Sequence, residues 1–408
     1  MTPERRTILV LFAIALGLRV LYAAFASTQP DIITGAVTGD LLYAREIVAG
    51  LDWIKTPYSP LAPGYPALLA ILYLLAFKQL WLVLFYQSAL GAATVLVLHR
   101  MGVDLLGKTM GLVAAVWFAG AVLHMQYTSL FTRDALAVFL LLLLLFFVIR
   151  PLRRMRFGLF TGIVYAALVH VDPQFVLLFP LLAVFILFFK SRHNILNLQY
   201  FFLFTAAVFL VSVPWAVRNQ VVYRQAVPIA LEASKYFRPF KVFTTEADKT
   251  VSQIERKISS ASRSRRVQTN TTEFWRVTRT GESSVTPTGD RPPAEPAWSL
   301  RHNLISAVSY GLLLPFFLLG IILAVRTRNR TALMIVATAL YYFLMRAYLG
   351  GSERARLVAD PLIVLVAFYG VLFVTRRMFS FPRPDGERGQ QSSRRSRPVI
   401  SGGTSTPM

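Results

Sequence analysis

Asp40 is the residue of this chain best placed to take a proton. It stands in Thr38-Gly39-Asp40-Leu41-Leu42-Tyr43-Ala44-Arg45-Glu46-Ile47-Val48-Ala49-Gly50, which reads as a short helix with Thr38 as N-cap and Gly50 as stop. Asp40, Tyr43, Ala44 and Ile47 share one helical face. The helix dipole keeps a carboxylate in the first turn ionised, the state required of a base that deprotonates an attacking hydroxyl. A capping or solvated carboxylate would show the same spacing. Of the neighbouring acids, Asp31 precedes the helix, Asp52 follows its stop, and Glu46 lies about 120° away around it at ~100° per residue. His170 and Asp172 are a second polar pair, too few for a metal site on their own, and no metal or cofactor is expected. The absence of Cys excludes disulfides, thiolate metal sites and cysteine nucleophiles.

The elements that must position these groups are apolar. Of 408 residues, 55% are hydrophobic and 15% charged, against about 25% charged in soluble domains. The net charge of +23 punctuates apolar runs instead of forming a soluble basic patch, so a nucleic-acid partner is not expected. The fold class read from this pattern is an all-α polytopic membrane protein with about ten transmembrane helices, at 7–27, 80–99, 109–130, 135–149, 157–170, 175–189, 199–217, 303–325, 331–349 and 357–375. The run at 66–77 is short and follows Pro63, Gly64 and Pro66, so it reads as a juxtamembrane helix. Arg19 falls inside the first apolar run, where a charge is expensive and turns inward; an ion pair is expected for it.

With ten spans, Arg100, Lys108, Arg150, Arg153, Arg154, Arg156, Lys190, Arg192, Arg326, Arg328, Arg330, Arg376 and Arg377 all fall on the cytoplasmic side with both termini, as the positive-inside rule requires. Four regions result: an N-terminal transmembrane module, 1–217, with a first outer loop at 28–79; a large polar outer loop, 218–302; C-terminal transmembrane helices, 303–375; and a basic cytoplasmic tail, 376–408, of disordered composition. No internal repeat is evident, which weakens the case for an inverted-repeat transporter.

The first outer loop resembles that of the GT-C superfamily of polyprenyl-phosphate-sugar-dependent glycosyltransferases, in particular the protein O-mannosyltransferases and lipid A aminoarabinose transferases. Their loop carries an acidic residue, a Tyr a few residues on, a Gly and a Pro-containing motif leading into Leu-rich sequence, here Asp40, Tyr43, Gly50 and the stretch 63–69 with Pro63, Tyr65 and Leu69. Gly17-Leu18-Arg19, Val213-Pro214-Trp215-Ala216-Val217-Arg218-Asn219 and Glu353-Arg354-Ala355-Arg356-Leu357 followed by Asp360-Pro361-Leu362 are similar to further family segments in the family's order. Two departures stand out. Gly39 and Leu41 flank Asp40 where many relatives have paired acids, and Thr132-Arg133-Asp134 replaces a Ser or Thr with Glu.

The resemblance implies a GT-C-like fold and inverting transfer of a sugar from a polyprenyl-phosphate donor to a lipid, glycan or protein acceptor on the outer face of a plasma (inner) membrane. It implies Asp40 as catalytic base with Asp134 as the second acid, Arg218, Arg354, Arg356 and Arg133 as donor phosphate ligands through their planar forks, and Tyr43 and Tyr65 in the acceptor or sugar pocket. Snorkelling to lipid headgroups is the plainer role for each Arg. A transporter or flippase of a polyprenyl-linked glycan is the alternative, and membrane lipids are partners in either case. The cysteine-free chain makes topology directly measurable. Single cysteines at Ser59 and Ser283 should both react with an impermeant maleimide from the non-cytoplasmic side; labelling from opposite sides would contradict the arrangement.

Overall fold

The computed structural model describes residues 2–27, 39–50, 62–150, 156–191, 194–223, 229, 304, 308–349 and 356–378. Thr38, Arg354 and nearly all of 218–302 and 376–408 therefore lie outside the described residues. Every regular element described is helical: α1 (Pro3–Ser27), α2 (Gly39–Val48), α3 (Gly64–Leu75), α4 (Leu80–Leu106), α5 (Lys108–Ala119), α6 (Val122–Thr128), α7 (Asp134–Ile149), α8 (Phe157–Val171), a 3-10 turn (Pro173–Leu178), α9 (Phe179–Phe189), α10 (Asn194–Tyr223), α11 (Leu313–Thr327), α12 (Arg330–Leu349) and α13 (Asp360–Met378).

Four helical stretches are long and apolar enough to cross a bilayer: Pro3–Phe25, Leu80–Leu106, Asn194–Val222 and Val308–Thr327. Among the described residues the expected count of about ten full crossings is not confirmed. The run at 109–130 breaks at Gly120 into α5 and α6, bent by 56°, and counts as a fifth span only if the pair is taken together. The runs at 135–149, 157–170 and 175–189 form shorter helices; α7, with 16 residues, is about 24 Å long at ~1.5 Å per residue, short of a ~30 Å hydrocarbon core. α12 and α13 carry the runs at 331–349 and 357–375. The helix at the 66–77 run, α3, has only 12 residues, as its Pro and Gly flanks suggest.

Apolar side chains cover the outside as well as the core. Leu21 is 70% exposed on α1, Phe202 70% and Leu210 75% on α10, and Ile322 61% on α11, which suits lipid and not water. Charge is correspondingly gathered at the helix ends. At one end Arg100 meets Glu4 at 3.1 Å and Arg150 meets Asp104 at 3.5 Å. Lys190 donates to the carbonyls of Phe147, Val148 and Arg150 at 2.9, 2.9 and 3.0 Å, capping the last turn of α7 with the cation its dipole favours. Arg330 donates to the Phe189 carbonyl at 3.3 Å. These links join α1, α4, α7, α9 and α12 at a single basic end, and residues 134, 172, 346 and 356 begin or finish their helices at the opposite one.

One charge departs from this pattern. Arg19 is 1% exposed, and its Nη1 donates to the Ala15 carbonyl at 3.0 Å and the Ala119 carbonyl at 3.5 Å. The expected ion pair is absent among the described residues. Backbone carbonyls take its place, because the break after α5 leaves the Ala119 carbonyl without an onward helical donor. Gly91 on α4 makes the room: a Cβ there would lie 2.7 Å from Arg19 Nε and 2.7 Å from Thr128 Cγ2. Gly91→Ala should therefore lower stability by about 1–3 kcal/mol, the usual overpacking range. Gly17→Ala, whose Cβ meets nothing within 4 Å, should leave the thermal midpoint unchanged or raise it. Equal midpoints for the two variants would contradict this packing.

Candidate active site

At the end opposite the basic one, two short platform helices lie over the long ones. α2 ends at Gly50, whose φ of +69° is the left-handed stop that glycine supplies. Leu41, Tyr43 and Ala44 are buried on the side that packs on α3, and Asp40 is half-buried beside them. α3 is in turn pinned at its start. Gly64 packs so closely that a Cβ would lie 2.8 Å from the His170 carbonyl carbon. Gln87 Nε2 donates to the Tyr65 hydroxyl at 2.7 Å and to the Leu130 carbonyl at 3.2 Å. The platform carrying Asp40, Tyr43 and Tyr65 is thus fixed to the two segments that hold the other acids, since Leu130 precedes Asp134 and His170 precedes Asp172.

Asp134 opens α7 and is buried, as is Asp172 at the junction of α8 and the 3-10 turn. Asp172 accepts from the Gln174 amide at 3.4 Å and from the Gln174 side chain. Gln174 Nε2 also donates to the Tyr342 hydroxyl at 3.3 Å, to which Arg346 Nε and Nη2 donate at 3.2 and 3.1 Å. Tyr342 stacks on Phe175, with ring centroids 5.7 Å apart. Burial pushes the Asp172 carboxyl above the usual carboxylate range; the Arg346 and Arg133 charges oppose this and the Asp134 charge adds to it. Asp134 and Asp172 are buried, and the half-buried Arg133 and Arg346 act on Asp172 electrostatically, so Asp172 and Arg346 join the residues of the Thr132-Arg133-Asp134 segment. His170 and Asp172 were legible as a polar pair, but the nearness of Asp172 to Asp134 was not. Arg346 had one signal, a charge near the outer end of an apolar run, four residues from Tyr342.

The remaining arginines flank this spot on separate supports. On α10 the guanidinium carbon of Arg218 lies 4.5 Å from the Trp215 ring centroid, and Trp215 meets His170 edge-on at 6.4 Å. Arg218 Nη1 donates to Asn219 Oδ1 at 2.8 Å, and Asn219 Nδ2 to the Ile229 carbonyl at 2.9 Å. Arg356, before α13, lies 3.2 Å from Asp360 Oδ1 through Nε and stacks 3.8 Å over the Tyr310 ring. The Asp360 of the family-like segment is thus the counterion of Arg356. His124 on α6 donates to the Leu357 backbone and feels both Arg19 and Arg356, which ties the α5–α6 bend to this corner.

Residues 59–217 match the family "Dolichyl-phosphate-mannose-protein mannosyltransferase". The apo oligosaccharyltransferase of Archaeoglobus fulgidus superposes with a TM-score of 0.57 at 15% identity, over 98% of this chain and 53% of that one. The archaeal oligosaccharyltransferase AglB from the same organism, in complex with an inhibitory peptide and a dolichol-phosphate, gives 0.57 at 14% identity over 97% and 52%. The chain spans about half the length of these structures. No curated protein matches the sequence.

The acid pair yields a pH test. A carboxyl raised in the fold contributes stability that is present below its unfolded pKa, about 3.9, and is lost as pH rises through the folded value. The stability of Asp172→Asn relative to the parent should accordingly grow as pH rises from the ordinary carboxylate range through neutrality. A difference in thermal midpoint that does not change with pH would contradict the burial of this charge. Residues 59–217 thus resemble a mannosyltransferase family, and the fold along nearly the whole chain is like that of an archaeal oligosaccharyltransferase.

Proposed function

We propose that the protein transfers a sugar from a polyprenyl-phosphate donor to a hydroxyl-bearing acceptor, with inversion, on the outer face of the membrane. The observation that carries this reading is the convergence of acids and guanidiniums at one end of a GT-C fold, roofed by the platform that bears Asp40. The match to a mannosyltransferase family supports a hexosyl donor. The dolichol-phosphate bound by the archaeal oligosaccharyltransferase supports a polyprenyl carrier. The positive-inside rule supports a cytoplasmic basic end and an outward-facing site.

The reaction is a single displacement. The acceptor oxygen attacks the anomeric carbon, the bond from that carbon to the phosphate oxygen breaks with its electron pair, and polyprenyl phosphate leaves from the opposite face. Asp40 takes the acceptor proton; its place in the first turn of α2 lets the helix dipole favour the carboxylate, and its half-buried position leaves it within reach of solvent. The leaving phosphate gains charge as the bond breaks. Arg133, Arg218, Arg346 and Arg356 are the described cations available to it, and charge-assisted bonds to phosphate are the strong kind. Asp134 and Asp172 orient those cations and contact the sugar hydroxyls, while Tyr65, held by Gln87, and Tyr43 shape the pocket beneath Asp40.

A coupled channel for flipping the donor would need its polar break near the bilayer midplane. The buried acids and their guanidiniums instead stand at helix ends, which supports chemistry at one face. Asp40→Asn keeps the shape and removes the basicity. Loss of a general base lowers rate by about 10²- to 10⁴-fold, so this variant should retain donor binding while transfer falls into that range. Near-normal transfer with a verified donor and acceptor would remove Asp40 from the role.

A further inference from the structure

A cleft at the basic end is not used by the reaction. It lies between α9 and α12, encloses about 460 Å³, and is lined by Leu181, Val184, Phe185, Leu333, Met334 and Ala337, with Phe189, Arg328 and Arg330 at its mouth. Its depth follows from helix rise. From Phe189 to Leu181 on α9, and from Arg330 to Ala337 on α12, the apolar walls run about 10–12 Å into the layer at ~1.5 Å per residue. Val184 and Phe189 are 49% and 45% exposed, so the walls are open on their lipid side.

The mouth has the opposite chemistry. Arg328 ends α11 in the left-handed conformation, φ +52°, and is exposed. Arg330, also exposed, is anchored by one bond to the Phe189 carbonyl at 3.3 Å. Among the described residues neither is paired with an acid. Two guanidiniums at the rim of a greasy slot, at the level where Lys190, Arg100 and Arg150 mark the membrane boundary, complement a molecule with an anionic phosphate and a hydrocarbon chain. Basic pockets between transmembrane helices bind anionic headgroups by this combination.

We infer that the α9–α12 cleft is a binding site for an anionic phospholipid of the leaflet facing the basic end. Its phosphate lies between Arg328 and Arg330, and one acyl chain lies along Leu181, Phe185 and Met334. This site is separate from the proposed donor site at the other end and does not depend on that reading. The donor would also offer phosphate and hydrocarbon, but it presents them to the opposite leaflet.

The test uses the full chain in detergent, with native mass spectrometry of bound phosphatidylglycerol against phosphatidylcholine of matched chains. Phosphatidylglycerol should bind the parent more tightly. Arg328→Gln should weaken it by about fivefold, the ratio for about 1 kcal/mol per basic group, with phosphatidylcholine unaffected. Ala337→Trp, which fills the slot and leaves both arginines, should remove the tight phosphatidylglycerol site with the thermal midpoint in lipid-free detergent kept as the check on folding. Equal affinities for the two lipids in the parent, or an unchanged phosphatidylglycerol site in both variants, would overturn the proposal. Displacement of phosphatidylglycerol from this site by equimolar polyprenyl phosphate would overturn the assignment of the occupant.

Discussion

A guanidinium buried in an apolar helix bundle is the constraint around which this molecule is arranged. Arg19 cannot be neutralised at physiological pH, and hydrocarbon supplies it no partner. The chain meets it by breaking a helix. The interruption at Gly120 frees the Ala119 carbonyl, and Gly91 clears the space the side chain occupies. The 56° bend that results is the start of the path through α6 to Asp134, and His124 on that path is bonded to the Leu357 backbone beside Arg356. Arg19 therefore fixes, through backbone geometry, how two corners of the acid-bearing end sit on the bundle.

The two ends of the bundle treat charge differently. At the basic end Arg100 and Arg150 make exposed ion pairs and Lys190 and Arg330 bind helix C-termini, contacts that are worth little individually. At the other end Asp134, Asp172, Arg218, Arg356 and Asp360 are buried and charges of opposite sign face each other. Asp172 is opposed by Arg346 and Arg133, and Arg356 by Asp360. Buried ion pairs of this type contribute little net stability, because desolvation offsets attraction.

Local features of this arrangement were legible in the sequence. Gly50 marked the end of the Asp40 helix, the Pro-Gly flanks kept the 66–77 run from being a crossing, and the Arg spacing placed one set of helix ends together. Long-range features were not. In the 109–130 run Gly120 and polar residues after it such as His124 and Gln126 set the second half apart, and neither feature fixes a bend. The partner expected for Arg19 was an acid because side chains can be read from a sequence and freed carbonyls cannot. Asp134, Asp172 and Arg346 are each ordinary helix-end residues until three helices bring them together, and the Arg356 to Asp360 pair is one turn of spacing that sequence showed without its role.

The account's central claim is that this protein breaks a glycosidic bond to phosphate and does not merely carry the lipid. The most direct measurement is the fate of a polyprenyl-phosphate hexose, labelled in both sugar and phosphate, on the purified chain in liposomes with an acceptor mixture. The account predicts release of free polyprenyl phosphate together with sugar joined to acceptor in the inverted anomeric configuration. Recovery of the intact donor in the opposite leaflet, with no free polyprenyl phosphate formed, would contradict it.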